Sequence, residues 1–280
     1  MSEHPSGNGI LLYGSNDPEV LVEKCVENLG ACSIDPFQHE EFLVQSRGMS
    51  TWLKLNLAQK AGIFGQSKFR FPEETIWMIL RGFTGNGPSR NPFTKEEMAW
   101  RIFEILPALT KENPGIFSPV VSYLAHDSGN LERCFRLCRQ ISTLFDTYQT
   151  YRPEMILAWS EGRQSEGDHP WQSIIWRELH ASIGQKCLPE LVLEIQKMEV
   201  PKDPHFLPLR LSVFGISTLP PIFLDVLHAY SRIGLLQVYS LQPAPVMWGD
   251  VQSEKSKQRA INRLNKDTER VWQEEDLNIE

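Results

Sequence analysis

The chain has 280 residues, 41% of them hydrophobic, with 8 Trp and 14 Phe, so it can bury a substantial core in one large domain or two ordinary ones. A formal net charge of -7 excludes a broadly basic nucleic-acid-binding surface but leaves room for a basic lining confined to a groove. Five scattered cysteines, no secretory leader pattern and no apolar run near the ~18 residues of a membrane span predict reduced thiols in a cytoplasmic protein with no membrane contact.

In chain order, "MSEHPSGNG" reads as a loose tail. "ILLY" (10–13) is a short apolar strand, broken by Gly14-Ser15-Asn16. Asp17 before Pro18 is an N-cap signal, and "EVLVEKCVENL" repeats apolar residues at helical spacing. "EFLVQS" (41–46) predicts a second strand. The helix "STWLKLNLAQKAG" should follow, with Ser50 or Thr51 as cap and Gly62 as stop. Another helix starts near Pro72.

From about residue 91 to 200 the pattern predicts helices and loops only. "VPKDPHFLP" then links to strands at "RLSVFGI" (210–216) and "LLQVYSL" (235–241), with a helix between them closed by Gly234. The last 28 residues are charged and poorly apolar, which suits a helix awaiting a partner or a linker to more chain. Short apolar strands alternating with helices predict an α/β fold with a parallel sheet covered on both faces. The expected boundaries are 1–90 for the first part of the sheet domain, 91–205 for an inserted helical subdomain, 206–252 for the return to the sheet and 253–280 for the charged tail. Ligands of such sheets bind beyond the carboxyl ends of the strands. That rule puts "YGSND", "QSRGM", "GISTLPP" and "YSLQP" on one rim.

The rim loops differ in what chemistry they offer. "YGSNDP" stands where a P-loop would cradle phosphate, but it has one glycine and no Gly-Lys-Ser/Thr, so it reads as a plain strand–helix turn. "QSRGM" leads into a helix N-terminus, where backbone N–H groups favour an anion and Arg47 adds charge; a routine turn with a surface arginine remains the alternative. The surrounding window is unusual. Phe42 to Pro72 holds no Asp or Glu, in a chain with 35 of them, while Arg47, Lys54, Lys60, Lys68 and Arg70 all fall inside it.

Trp77, Trp100, Trp171 and Trp176 lie in apolar helical contexts and read mainly as core, with one or two available as stacking platforms for bases. Arg133, Arg136 and Arg139 form a basic row on one helix that suits either a backbone track or a solvated face. The cysteines lack paired zinc-ligand spacing, and no H-E-x-x-H, G-x-S-x-G or compact carboxylate cluster appears. No metal, cofactor or catalytic residue is expected.

"ILLYGSNDPEVLVEKCVENL" followed by "DPFQHEEFLVQSRGMSTWLKLNLAQKAGI" resembles the amino-terminal part of RecC, the gamma subunit of exodeoxyribonuclease V. "FPEETIW", "MAWRIFEILP", "LFDTYQTYRPEM", "WQSIIWREL", "VFGISTLPPIFLDVLHA" and "WGD" (248–250) agree in the same order, so the resemblance covers nearly the whole chain. RecC proteins are much longer, which makes this chain an expected amino-terminal fragment. The resemblance implies a RecA-like sheet from an inactivated superfamily 1 helicase, interrupted by a helical subdomain.

It also implies a noncatalytic role. RecC assembles with RecB and usually RecD, and it guides the 3′-ending single strand while scanning for the recombination hotspot Chi. Carried over by position, Gln45, Arg47, Thr51, Phe71, Trp77, Leu144, Asp146 and Arg152 are the implied DNA-channel residues. Lys54, Lys68 and Arg70 are candidate backbone contacts. Arg47 stands where a small polar residue is usual, Thr51 where glutamine is found, Phe71 for a leucine and Thr143 for an aspartate. The scaffold of the reading site is therefore kept while several reading side chains differ. The alternatives are an assembly scaffold that contacts RecB without reading DNA, and a working P-loop NTPase or nuclease.

Overall fold

A computed structural model of the chain describes residues 8–31, 39–85, 88, 90–125, 131–163, 169–199, 201–203 and 206–242. The strands are β1 (Gly9–Ser15), β2 (Glu40–Val44), β3 (Ser67–Arg70), β4 (Arg210–Phe214) and β5 (Leu235–Leu241). The helices are α1 (Pro18–Ala31), α2 (Arg47–Ala61), α3 (Pro72–Thr84), α4 (Lys95–Glu112), α5 (Ser118–Ala125), α6 (Leu131–Tyr151), α7 (Pro153–Ser160), α8 (Pro170–Ile183), α9 (Leu188–Gln196) and α10 (Pro221–Ser231). All strand pairs are parallel, in the order β1-β5-β4-β2-β3. This is the expected α/β arrangement, a RecA-like parallel sheet interrupted between β3 and β4 by helices. The "WGD" motif and the 253–280 segment lie outside the described residues.

Alternation along the strands explains the two layers. Leu43, Leu211, Val213 and Leu236 face α3, α9 and α10, whereas Phe42, Val44, Phe214 and Tyr239 face α1 and α2. Residues that alternate in this way are apolar on both faces, as a parallel sheet covered on both sides requires. A third core belongs to the helical block, where Trp176 stacks near Phe93 and meets Phe145 edge to face. α9 carries its apolar residues into the sheet-side core and so docks the block onto the sheet.

A buried arginine fixes where β4 enters. Arg210 is 3% exposed. Its guanidinium pairs with Glu40 at the start of β2 and donates to the Asn28 carbonyl near the end of α1, at 3.0 Å. Next to it, Asn28 Nδ2 donates to the Tyr239 hydroxyl at 3.0 Å, and that hydroxyl donates to Gln237 Oε1 at 3.1 Å. One polar network thus ties β2, β4, β5 and α1 inside an apolar layer.

The structure departs from the sequence reading in identifiable places. α2 begins at Arg47, capped by Ser46, whose hydroxyl oxygen accepts from the Met49 N–H at 3.2 Å; Ser50 and Thr51 lie inside the helix. An early cap wins because Ser46 has extended backbone and satisfies an orphan N–H of the first turn. β3 was not expected. It is a four-residue edge strand whose Phe69 stacks on Phe42 at 4.9 Å. Its charged residues are those of a protected sheet edge, which blunts any apolar run. The helix expected to close at Gly234 ends at Ser231. Trp100, read as core, is 58% exposed against Phe135, with ring centroids 4.4 Å apart.

Among the described residues no helix is long and apolar enough to cross a membrane. Among the described residues Cys25, Cys134, Cys138 and Cys187 are free thiols. Burial pushes the Cys25 and Cys138 thiols up to about 12.

Two outcomes follow from this packing. Glu40→Leu leaves Arg210 buried without its partner, so urea denaturation should show a loss of about 3–5 kcal/mol. Because the thiolate is the nucleophile, Cys25 and Cys138 should resist alkylation in the native protein at pH 8 and react once it is unfolded, read by mass spectrometry of the labelled peptides.

Candidate nucleic-acid interface

The parallel register sends every strand toward one rim. Along it the exits run Ser15, Leu241, Phe214, Val44 and Arg70. β2 and β3 are neighbours with Leu43 opposite Arg70, so the Gln45–Arg47 turn and Phe71 leave the sheet side by side. Gly215 holds the adjoining β4 exit at φ +65, and a Cβ there would come within 3.1 Å of Met49 Cε. The first turn of α2 can therefore pack closely on that exit.

The β1–α1 turn is organised by the cap of its own helix. Asp17 Oδ1 accepts from the Glu19 N–H at 2.8 Å, so carboxylates stand at the helix N-terminus where a phosphate would need free donors. Gly14, expected to break the first strand, belongs to β1 and is covered by Gln242, whose side chain would lie 2.7 Å from a Cβ. This turn caps its own helix and offers no lysine to a nucleotide.

A groove of about 500 Å³ opens where the α3 N-terminus meets α4 and α6. It brings together Phe71, Trp77 and Asp146 of the sequence-derived set. Phe71 is 36% exposed at its edge, whereas Trp77 is 4% exposed and belongs also to the sheet-side core. Trp77 is therefore mainly a core residue that also touches the groove. Asp146 pairs with Lys95 at 3.1 Å between α6 and α4. On α6 the residues Asp146, Gln149 and Thr150 line the groove at i, i+3 and i+4 spacing. Phe71 offers apolar surface for a base, and the Lys95–Asp146 ion pair offers polar edges to it.

Other candidate residues lie outside that groove. Gln45, Arg47 and Thr51 are exposed at the start of α2, where the Thr51 hydroxyl donates back to the Arg47 carbonyl at 3.1 Å. Leu144 is half-buried on α6. Arg152 is exposed just before α7, its guanidinium 5.5 Å from the centre of the Tyr148 ring.

The basic window is partly neutralised from outside itself. Lys60 pairs with Glu23 at 2.6 Å. Arg70 pairs with Glu41 at 2.8 Å and also with Glu74, which removes it as a free backbone contact. The acid-free count concealed this, because both partners flank the window in sequence and meet Arg70 only in the fold. Lys54 lies 4.9 Å from the Phe69 ring centre and remains exposed. Arg47 and Lys68 are exposed and make no ion pair among the described residues.

Lys95, Gln149 and Thr150 were absent from the sequence-derived set. The i, i+3, i+4 relation to Asp146 was a readable signal for the last two. For Lys95 the signal was weaker: Thr94 caps α4 by accepting from the Glu97 N–H at 3.2 Å, and this places Lys95 at the first helical position.

Comparison with known proteins matches residues 10–277 to the family model described as RecC, N-terminal domain. The chain is 32% identical over 246 residues to the RecBCD enzyme subunit RecC of Haemophilus influenzae, covering 78% of this chain and 22% of that protein. It is also 32% identical over 228 residues to the subunit of the same name from Escherichia coli, covering 78% of this chain and 20% of that one. The Mycolicibacterium smegmatis subunit is 25% identical over 231 residues. The chain spans about a fifth of the length of these relatives. With a family model matching nearly its whole length, the chain belongs to the RecC family.

Proposed function

We propose that this chain is a noncatalytic, DNA-guiding part of a cytoplasmic helicase–nuclease for double-strand break repair. In this reading it assembles with RecB-type and RecD-type subunits and conducts the 3′-ending single strand past its rim. It scans that strand for a Chi-like sequence. The observation that carries the proposal is the convergence of Phe71, Trp77 and Asp146 on one groove beside the exits of β2 and β3. Single strands are held by backbone charge and base stacking, and bases are distinguished by fixed polar side chains. The rim supplies Arg47 for charge and Phe71 for stacking, the groove supplies Asp146 for a polar edge, and Lys68 on the edge strand β3 adds an exposed charge.

The blocked β1–α1 turn supports the inactive-helicase part of the reading over a working NTPase. We assign 1–90 and 206–252 to the sheet domain and 91–205 to the inserted subdomain. Support comes from the separate core of the helical block, with α9 as the docking element. A net charge of -7 is compatible, because contacts restricted to a groove need only local charge. Trp100, exposed beside Phe103 and Phe135, favours an additional protein contact on the helical block, as the assembly-scaffold alternative requires.

Arg47→Ala in the assembled complex should weaken binding of a 3′-ended strand. It should also reduce the slope of log K against log salt by about 0.7, the loss of roughly one single-strand phosphate contact. Unchanged affinity and slope would contradict the role given to Arg47. Incubated alone with ATP and magnesium, the chain should neither retain nucleotide in equilibrium dialysis nor release phosphate; turnover would restore the NTPase reading.

A further inference from the structure

The layer formed by α3, α9 and α10 stops short of β1. Ile10 and Leu12 on that strand are 50% and 61% exposed. Their register partners on β5 are Leu236 and Val238, so they lie on the face that the sheet-side core covers elsewhere. α1 packs on β1 from the opposite face, where Tyr13 stacks on Tyr239. β1 is also the outermost strand on its side of the sheet. In a parallel sheet buried on both faces, two large aliphatic side chains left bare on one strand mark a missing piece of layer.

The way the chain leaves β5 points to what fills it. Gln242 continues past β5, its N–H donating to the Ser15 carbonyl at 2.8 Å. Its side chain lies over Gly14, on the same face of β1 as Ile10 and Leu12. The β5 exit is thus turned toward the bare face. Handedness agrees. The crossover from β4 to β5 runs through α10, on this face, and steps toward β1. A further right-handed step in the same direction passes over β1.

The sequence after Gln242 supplies a fitting surface. In the otherwise charged segment 253–280, Ile261, Leu264, Val271 and Trp272 recur at i, i+3, i+10 and i+11, a single narrow apolar stripe of helical period. A narrow stripe suits one edge strand that presents two aliphatic side chains. Residues 243–260 give ample reach from the β5 exit. We propose that the stripe of residues 261–272 docks on Ile10 and Leu12 and completes the layer over β1. The bare face of β1 is then an internal docking site, and it fixes where the chain departs from the sheet, at the end opposite β2 and β3. This contact does not depend on the strand-conducting reading.

Hydrogen exchange on the full chain tests this. The amides of 260–272 should be protected, and Leu12→Asp should speed their exchange about tenfold or more, while β4 and β5 keep their protection. Exchange of 260–272 at the free-peptide rate would overturn the proposal, as would protection that Leu12→Asp leaves unchanged. Protection that rises with protein concentration would give the face to a second copy and overturn it too. A thiol pair decides the matter if Leu12→Asp also strips β4 and β5. Leu12→Cys combined with Leu264→Cys should be joined by a short bismaleimide in the native chain and not in urea, read by mass spectrometry of the linked peptides. Absence of the 12–264 link in the native chain would overturn the proposal.

Discussion

The architecture depends on the chain coming back to the right place. After β3 it passes through helices α3 to α9, then has to insert β4 between β5 and β2. Arg210 sets that return. Its guanidinium reaches Glu40, 170 positions earlier, and the Asn28 carbonyl, 182 positions earlier, in a layer otherwise filled by apolar side chains. A charge buried there is tolerated only with its partner and with the remaining donors satisfied, so alternative entries for β4 carry a penalty. The Asn28, Tyr239 and Gln237 bonds extend this selection to β5.

The candidate interface follows from that placement. With β2 and β3 adjacent and parallel, the α2 and α3 N-termini emerge together. The helical block then meets them through α9, α4 and α6, and the groove is the space left at the junction. Its aromatic wall comes from α3 and its polar wall from α6, so neither the sheet nor the block forms the site alone. The opposite end of the rim took a different course. There the Asp17 carboxylate caps the N-terminus of α1, where a phosphate would need free donors.

Much of this was legible before any coordinates. Strand–helix alternation, the proline at the start of α1 and α3, and the long helical block all follow from apolar spacing and turn chemistry. The rim loops followed from the parallel sheet. What escaped was set by distant contacts. β3 is too short and charged to announce itself, and it exists because Phe69 stacks on Phe42 and the backbone pairs with β2. Arg70 looked like a free cation until Glu41 and Glu74 closed on it. Ser46, not Ser50 or Thr51, caps α2, so Gly48 stands in the first turn of that helix. Lys95 gained meaning only once α4 and α6 were laid side by side. The family motifs located Phe71, Trp77 and Asp146; only the fold showed that these three share one cavity.

The central claim is that the face formed by the β2 and β3 exits and the groove beside them carries the 3′-ending strand. It is tested most directly by placing a photoreactive side chain at Phe71, which is exposed at the groove edge, and irradiating the assembled complex on a forked duplex with its two strands separately labelled. The account predicts crosslinks to the 3′-ending strand that disappear when that strand is shortened before the groove. Crosslinks to the 5′-ending strand, or to neither strand while the complex unwinds DNA normally, would contradict it.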